Sequence, residues 1–152
     1  MKTLAGVLCI FLFLACRPAP QPIEYGSDLC DYCKMTIVDR QHAAEAVTGK
    51  GRAYRFDAIE CLLNYIEPTS DTDWAFLLVA DYEQPGVLID AQESHYLISP
   101  NLPSPMGAFL SAFAEESAAQ ETQAAKDGRL YDWSSVREEL RRNGVIKQVS
   151  AQ

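Results

Sequence analysis

Basic residues and histidines are scarce in this sequence. Its 152 residues include 13 Lys or Arg and 2 His against 21 Asp or Glu, which gives a formal net charge of −8 at pH 7. A surface that binds nucleic acid must carry positive charge for the phosphates, so nucleic acid is not an expected partner. The acidic balance fits a soluble domain or one that attracts cations.

An apolar run long enough to cross a bilayer is also lacking. Leu4–Ala15 is nearly unbroken in its apolar character, but it supplies only about a dozen residues where a spanning helix needs roughly 20. A short positive start at Lys2 followed by such a run is typical of a secretory signal peptide. Phe13–Cys16 resembles a lipobox. We therefore predict a lipoprotein signal peptide over residues 1–15, with lipid on Cys16.

The segment after the predicted cleavage point is rich in proline. Arg17–Pro22 cannot form a helix or a central strand, so we predict a semi-rigid tether over residues 16–27. Such a tether suits a domain anchored at the periplasmic face of a bacterial membrane. Arg17 is not the aspartate associated with inner-membrane retention, which favours the outer membrane. An ordinary secreted protein cut near Cys16 is the alternative.

Cysteine is too scarce here for a disulfide framework. Cys9 leaves with the predicted signal peptide, so the remaining domain, residues 28–152, holds Cys30, Cys33 and Cys61. Three thiols in an oxidising compartment cannot all pair within one chain. Either one thiol is left over, or a metal ion occupies some of them.

The segment Cys30–Met35 carries the clearest chemical signal. Two thiolates separated by two residues can reach one metal ion, because a turn places both sulfurs on the same side. Met35 adds a neutral thioether within the same turn. Thiolate and thioether form a soft ligand set, which favours copper(I) over harder cations.

Other roles for the Cys30–Cys33 pair stay open. Covalent haem attachment is excluded, because Lys34 stands where a histidine is needed. A thioredoxin-type redox pair follows a strand and begins a helix, whereas a Pro-rich segment comes before this one. A disulfide within so short a loop would stabilise the fold little.

Structural zinc is a further alternative for the pair. It would need ligands from Cys61, His42 and His95. The two histidines stand in strand-like segments, where a lone histidine is more often a surface residue. Cys61 falls in the first turn of a predicted helix, where the helix dipole favours a thiolate, so it is either a ligand or a buried free cysteine.

Hydrophobic patterning predicts an α+β fold with short antiparallel strands packed against helices. Asp57, with Glu60 three residues later, forms a capping-box pattern for one helix, and Asp132 begins a similar helix over Trp133–Arg142. Ser104 and Pro105 predict the start of a longer helix that runs to about Lys126. An aromatic residue, aspartate and a helix thus occur twice, which suggests two related modules, about 28–81 and 82–152. Strands are predicted at Met35–Val38, Ala43–Thr48, Arg52–Phe56, Trp74–Asp81, Val87–Asp90 and Tyr96–Ser99.

Three segments, in this order behind a lipobox, resemble the NosL family of nitrous oxide reductase accessory lipoproteins. They are Cys30–Met35, Phe56–Leu62 and Ser104–Gly107. The resemblance implies a fold of two similar ββαβ modules, also seen in organomercurial lyase. It implies that the metal ligands fall on Cys30 or Cys33, Met35 and Met106, although helical periodicity alone would place Met106 in the core.

The resemblance also implies a function. Members of this family are periplasmic copper(I) chaperones, so the expected partner is a client copper enzyme or its assembly factors, with nitrous oxide reductase as the client. A thiol-disulfide oxidoreductase or another thiol-dependent enzyme is the alternative. No general acid stands at a spacing that matches enzyme chemistry, which favours a metal carrier over an enzyme.

Overall fold

The fold is known from a computed structural model that describes residues 17–69 and 71–147. The predicted signal peptide and Cys16 lie outside these residues. None of the described helices is long and apolar enough to cross a membrane. The described strands and helices are β1 Ala44–Thr48, β2 Ala53–Phe56, α1 Ile59–Ile66, β3 Trp74–Ala80, β4 Leu88–Asp90, β5 His95–Ile98, β6 Leu110–Phe113, α2 Glu116–Lys126, β7 Arg129–Tyr131 and α3 Trp133–Arg142.

The strands form two antiparallel sheets, which confirms the α+β prediction. The first sheet has the order β2-β1-β3-β4 and the second has the order β6-β5-β7. A parallel bridge between Asp81 and Ala112 connects them. The units β1-β2-α1-β3 and β5-β6-α2-β7 have the same ββαβ order, and in both the first strand lies between the other two.

In the repeat, α1 therefore corresponds to α2, whereas the sequence pattern predicted that it corresponds to α3. The prediction failed because only one of the two aspartates expected to cap a helix does so. Asp132 accepts a hydrogen bond from the Ser135 amide and caps α3. Helix α1 instead begins after Ala58 with no side-chain cap in the described chain, so the predicted box of Asp57 and Glu60 is wrong.

The long helix predicted from Ser104 to Lys126 is also wrong. Residues 104–109 form a loop, Leu110–Phe113 is strand β6, and α2 begins only at Glu116. All four residues of β6 are buried, and β6 pairs with β5 along its whole length. Long-range pairing therefore overrides a local helix-start pattern.

The other predicted strands are confirmed apart from the first. Met35–Val38 forms no strand, and its only bridge joins Thr36 to Leu29. The predicted division into modules at residues 81–82 stays a prediction. The first sheet continues past it, because β4 pairs with β3 as far as Asp90.

One apolar cluster connects the two sheets. It includes Phe56 and Leu62 from the first unit, Tyr96 from the second unit, and Val136 and Leu140 from α3. Leu97 packs in a smaller cluster with Ala119 of α2. Because neighbouring side chains of a strand point to opposite faces, α2 and α3 cover opposite faces of the second sheet. The first sheet and α1 meet the α3 face.

Two further segments hold the first sheet and α1 in place. The Gln21 amide donates to Glu45 Oε1 at 2.7 Å, and Arg55 Nε donates to the Pro22 carbonyl at 3.1 Å. Of the predicted tether, the part from Gln21 onwards therefore lies against the sheet. At the other end of the chain, Asn64 of α1 donates to the Val145 carbonyl at 3.0 Å. The N-terminal segment is thus fixed to the first sheet, and the segment after α3 is fixed to α1.

Candidate metal centre

The turn that carries Cys30 and Cys33 is attached to the edge strand β2. The Asp31 amide donates to the Arg55 carbonyl at 2.8 Å, and the Arg55 amide donates to Asp31 Oδ2 at 2.8 Å. The turn closes through Lys34, whose amide donates to the Cys30 carbonyl at 3.0 Å and whose φ is +65°. Left-handed backbone is uncommon for a residue other than glycine. The backbone is thus held in a shape that keeps both cysteines together.

Helix α1 brings the third thiol to this turn. Cys61 lies in its first turn, and the Sγ atoms of Cys30, Cys33 and Cys61 are all within 4.8 Å of one another. Each is a free thiol in the described chain. Cys30 and Cys61 are fully buried, whereas Cys33 is partly exposed. The three residues form a thiol cluster that opens to solvent on the Cys33 side.

Hydrogen-bond donors lie around the Cys30 sulfur. The Cys33 amide donates to it at 3.4 Å, and the Cys61 thiol and the backbone amides of Asp57 and Tyr32 are near enough to stabilise its negative charge, the Cys61 thiol most of all. These donors lower the pKa of Cys30 to about 5, although burial opposes the shift. Because donors to a charged group favour the charged form, Cys30 is a thiolate at neutral pH.

The other two thiols are held in the protonated form. The pKa of Cys61 is raised, first because its thiol donates to Cys30 and then because it is buried. Burial raises the pKa of Cys33, and the neighbouring negative Cys30 adds to the shift. A metal ion that binds all three must displace protons, so its affinity rises with pH.

This charge distribution gives a first testable prediction. In the reduced, metal-free domain, we expect the ultraviolet absorbance of one thiolate to appear with a midpoint near pH 5, as the lowered pKa of Cys30 requires. The Cys30→Ser variant should lose this step. A titration in which every thiolate appears only near the ordinary cysteine pKa would contradict the assignment.

A cavity extends from the thiol cluster toward the second unit. It has a volume of about 220 Å³, and both Cys61 and Met106 line it. Met106 belongs to the loop between β5 and β6, and its side chain is 41% exposed. The fold therefore places Met106 and the buried Cys61 on the wall of one small cavity. The remaining lining residues are Tyr32, Glu60, Asn64, Gly107, Ala108 and Val145.

Met35 is placed differently from Met106. Its carbonyl accepts a 2.8 Å hydrogen bond from the Cys30 amide, which helps to close the turn. Its side chain is 53% exposed and is not among the side chains that line the cavity. The structure thus brings the Met35 backbone to the thiol cluster, and a ligand role for its sulfur stays a prediction.

The two histidines lie away from the thiol cluster. His42 is buried rather than on the surface: its Nδ1 lies 3.0 Å from Asp39 Oδ2 and its Nε2 lies 3.2 Å from Ser111 Oγ. Both ring nitrogens are therefore engaged. His95 lines a separate cavity beside α2 and β7. The zinc site considered from sequence thus lacks its histidines.

Sequence reasoning missed the role of Glu60. It is buried, and its Oε1 accepts hydrogen bonds from Ser104 Oγ at 2.6 Å and from the Ala108 amide at 3.1 Å. Burial raises the pKa of this carboxyl group. The sequence did contain a signal for this role. Glu60 shares a helix face with Ile59 and Leu63, and a charged residue on an apolar face needs a partner.

The chain resembles known proteins in sequence and in fold. The family model NosL matches residues 22–141. The copper-binding lipoprotein NosL of Stutzerimonas stutzeri is 29% identical over 161 residues, which cover 96% of this chain and 85% of that protein. The crystal structure of the copper chaperone NosL from Shewanella denitrificans superimposes with a TM-score of 0.66 at 17% sequence identity, over 76% of this chain and 93% of that chain. At this identity the structural likeness shows a common fold.

Proposed function

We propose a function from one established premise: this chain belongs to the NosL family. Its function is copper binding in a chaperone role, in which the ion is a cargo that is passed to another protein. The observation that carries this proposal is the cluster of three thiols at the edge of the first sheet. We further propose that the cargo is copper(I), held by Cys30, Cys33 and Cys61 and by the thioether of Met106.

The spacing of the thiols fits a single metal ion. Three sulfurs bound to one ion through bonds of about 2.3 Å lie about 3.8–4.0 Å apart in tetrahedral or trigonal geometry. The three Sγ atoms already lie within 4.8 Å of one another, so a movement of about 1 Å or less brings them to one ion. Sulfur donors select soft ions, and the partly exposed Cys33 provides a side from which the ion can enter and leave.

Burial and charge favour a carrier over a thiol enzyme. A nucleophilic cysteine needs both a low pKa and access to its substrate. Here Cys30 has the low pKa but is fully buried, while burial raises the pKa of the accessible Cys33. Cys30 is thus suited to be a thiolate ligand. Neither cysteine of the pair is both accessible and low in pKa, as disulfide exchange requires.

Methionine replacement tests the choice of copper(I) over zinc(II). We expect Met106→Leu to weaken copper(I) binding much more than zinc(II) binding, because zinc gains little from a thioether. The exchange keeps size and apolar character, so its effect on folding should be under about 1.5 kcal/mol. Competition against a chromogenic copper(I) chelator under reducing conditions measures the affinity, and circular dichroism checks the fold.

Met35→Leu is the matched comparison, because it is the same exchange at the other thioether that the sequence predicts as a ligand. We expect a smaller loss than for Met106→Leu, since Met35 is outside the cavity lining. If both variants hold copper(I) as tightly as the parent while a variant without Cys30 and Cys33 does not, copper is bound by thiols alone.

The remaining proposals concern place and partner. We propose that lipid on Cys16 anchors the domain at the periplasmic face of a bacterial membrane, with the outer membrane favoured. The similar protein of Stutzerimonas stutzeri is itself named a lipoprotein, which supports the anchor. The proposed client is nitrous oxide reductase or a factor that assembles its copper centres. This choice rests on the motif resemblance described above.

A further inference from the structure

Glu60 is a buried acid that the copper proposal does not use. Its Oε1 accepts two hydrogen bonds, from Ser104 Oγ and from the Ala108 amide. Its Oε2 is buried and has no hydrogen-bond partner in the described chain. An unpaired polar atom in the interior is unfavourable, so an apolar residue would be the simpler choice for this helix face. The contacts of Oε1 indicate what the carboxyl group does here.

Both contacts go to the loop that carries Met106. Within this loop Ser104 Oγ also accepts from the Phe109 amide at 3.0 Å, and the Gly107 amide donates to the Ser104 carbonyl at 3.0 Å. Gly107 and Phe109 both have left-handed backbone, with φ of +79° and +58°. For Phe109 this conformation is strained. The loop is thus folded around two side-chain oxygen atoms, Ser104 Oγ and Glu60 Oε1, and one backbone carbonyl.

We infer that Glu60 is a positioning residue that ties the Ser104–Phe109 loop to helix α1 and so fixes the thioether of Met106 relative to the Cys61 thiol. Glu60 directly precedes Cys61, so one residue holds the loop and the next carries the sulfur. Glu60, Cys61 and Met106 all line the same cavity. The inference rests on the proposed function, because it requires Met106 to bind copper.

Three variants of the mature domain test this role by copper(I) competition under reducing conditions. Glu60→Ala removes the acceptor and should weaken copper(I) by about 10–100-fold, the usual effect of losing a group that orients a ligand. Ser104→Ala removes one of the two ties and should weaken binding in the same direction. Glu60→Gln keeps an acceptor oxygen in place and should restore binding close to that of the parent. X-ray absorption should count one sulfur neighbour of copper fewer in Glu60→Ala.

A double-mutant cycle separates positioning from a general effect on folding. In a Met106→Leu background, Glu60→Ala should cause no further loss, because both changes remove the same sulfur contact. Glu45→Ala is the matched control: Glu45 is also a buried glutamate with one paired and one unpaired oxygen, but it contacts the N-terminal segment. It should leave copper(I) affinity unchanged.

The possible failures can be told apart. A parent domain that does not bind copper(I) defeats the proposed function itself. Suppose instead that the parent binds copper(I), that Met106→Leu weakens the binding and that Glu60→Ala leaves it unchanged. This result overturns only the role of Glu60. That role is also overturned if the full loss from Glu60→Ala persists in the Met106→Leu background, or if Met106→Leu has no effect.

Discussion

The Cys30→Ser variant of the mature domain should lose more copper(I) affinity than any other single replacement. We expect a loss beyond the roughly 100-fold that marks the upper range for groups that only orient a ligand. The pKa of Cys30 is lowered to about 5, mainly by the Cys61 thiol, and the Cys33 amide donates to its sulfur. Serine keeps the shape but offers a hard, protonated oxygen, which copper(I) binds poorly. Chelator competition under reducing conditions measures the change.

Cys33→Ser provides the comparison for this variant. Cys33 is partly exposed and its pKa is raised, so we expect a smaller loss than for Cys30→Ser. Replacement of both should abolish binding of copper(I) and of zinc(II) alike. Equal affinity in the parent and in Cys30→Ser, with circular dichroism unchanged, would show that the thiol cluster is not the copper site.

In the full-length chain, Cys16→Ala should abolish lipid attachment. The predicted lipobox ends at this cysteine, and the residue lies outside those that the structure describes. Metabolic labelling with a fatty acid should mark the parent and leave the variant unlabelled, either released or retained as an uncleaved precursor. Cys9→Ala, a change within the same apolar run, is the matched control and should keep the label. Undiminished label on Cys16→Ala would refute the anchor.

Local sequence patterns predicted those helices and strands that are determined by contacts between residues close together in the chain. Helix α3 was predicted with its bounds, because Asp132 and Ser135 form the cap within four residues of each other. The helix predicted from Ser104 failed because the side chain of that serine is engaged by Glu60, 44 residues earlier in the chain. Strand β6 was missed for the same reason, since its pairing with β5 is a tertiary feature.

The site shows the same division between local and distant determinants. Spacing alone predicted that Cys30 and Cys33 could share an ion, because one turn connects them. Cys61 reaches them only through the packing of α1. The sequence alone therefore could not decide whether Cys61 is a ligand or a buried free thiol. Met106 came from family resemblance alone. His42 was expected at the surface, but Asp39 and Ser111 give its ring nitrogens partners that allow burial.

Under the proposed lipid anchor, the docking of Gln21 on Glu45 would limit how far the domain can move from the membrane. With lipid on Cys16, as proposed, only five residue-to-residue steps separate the anchor from the first hydrogen bond to the sheet. At about 3.3–3.6 Å per residue, that chain spans at most about 18 Å. A longer flexible tether would let a domain sample a deep layer of periplasm, whereas this tether would keep an anchored domain close to the lipid headgroups. Copper exchange by the anchored protein would then take place in a thin layer at the membrane, where a soluble client would have to come to collect its ion.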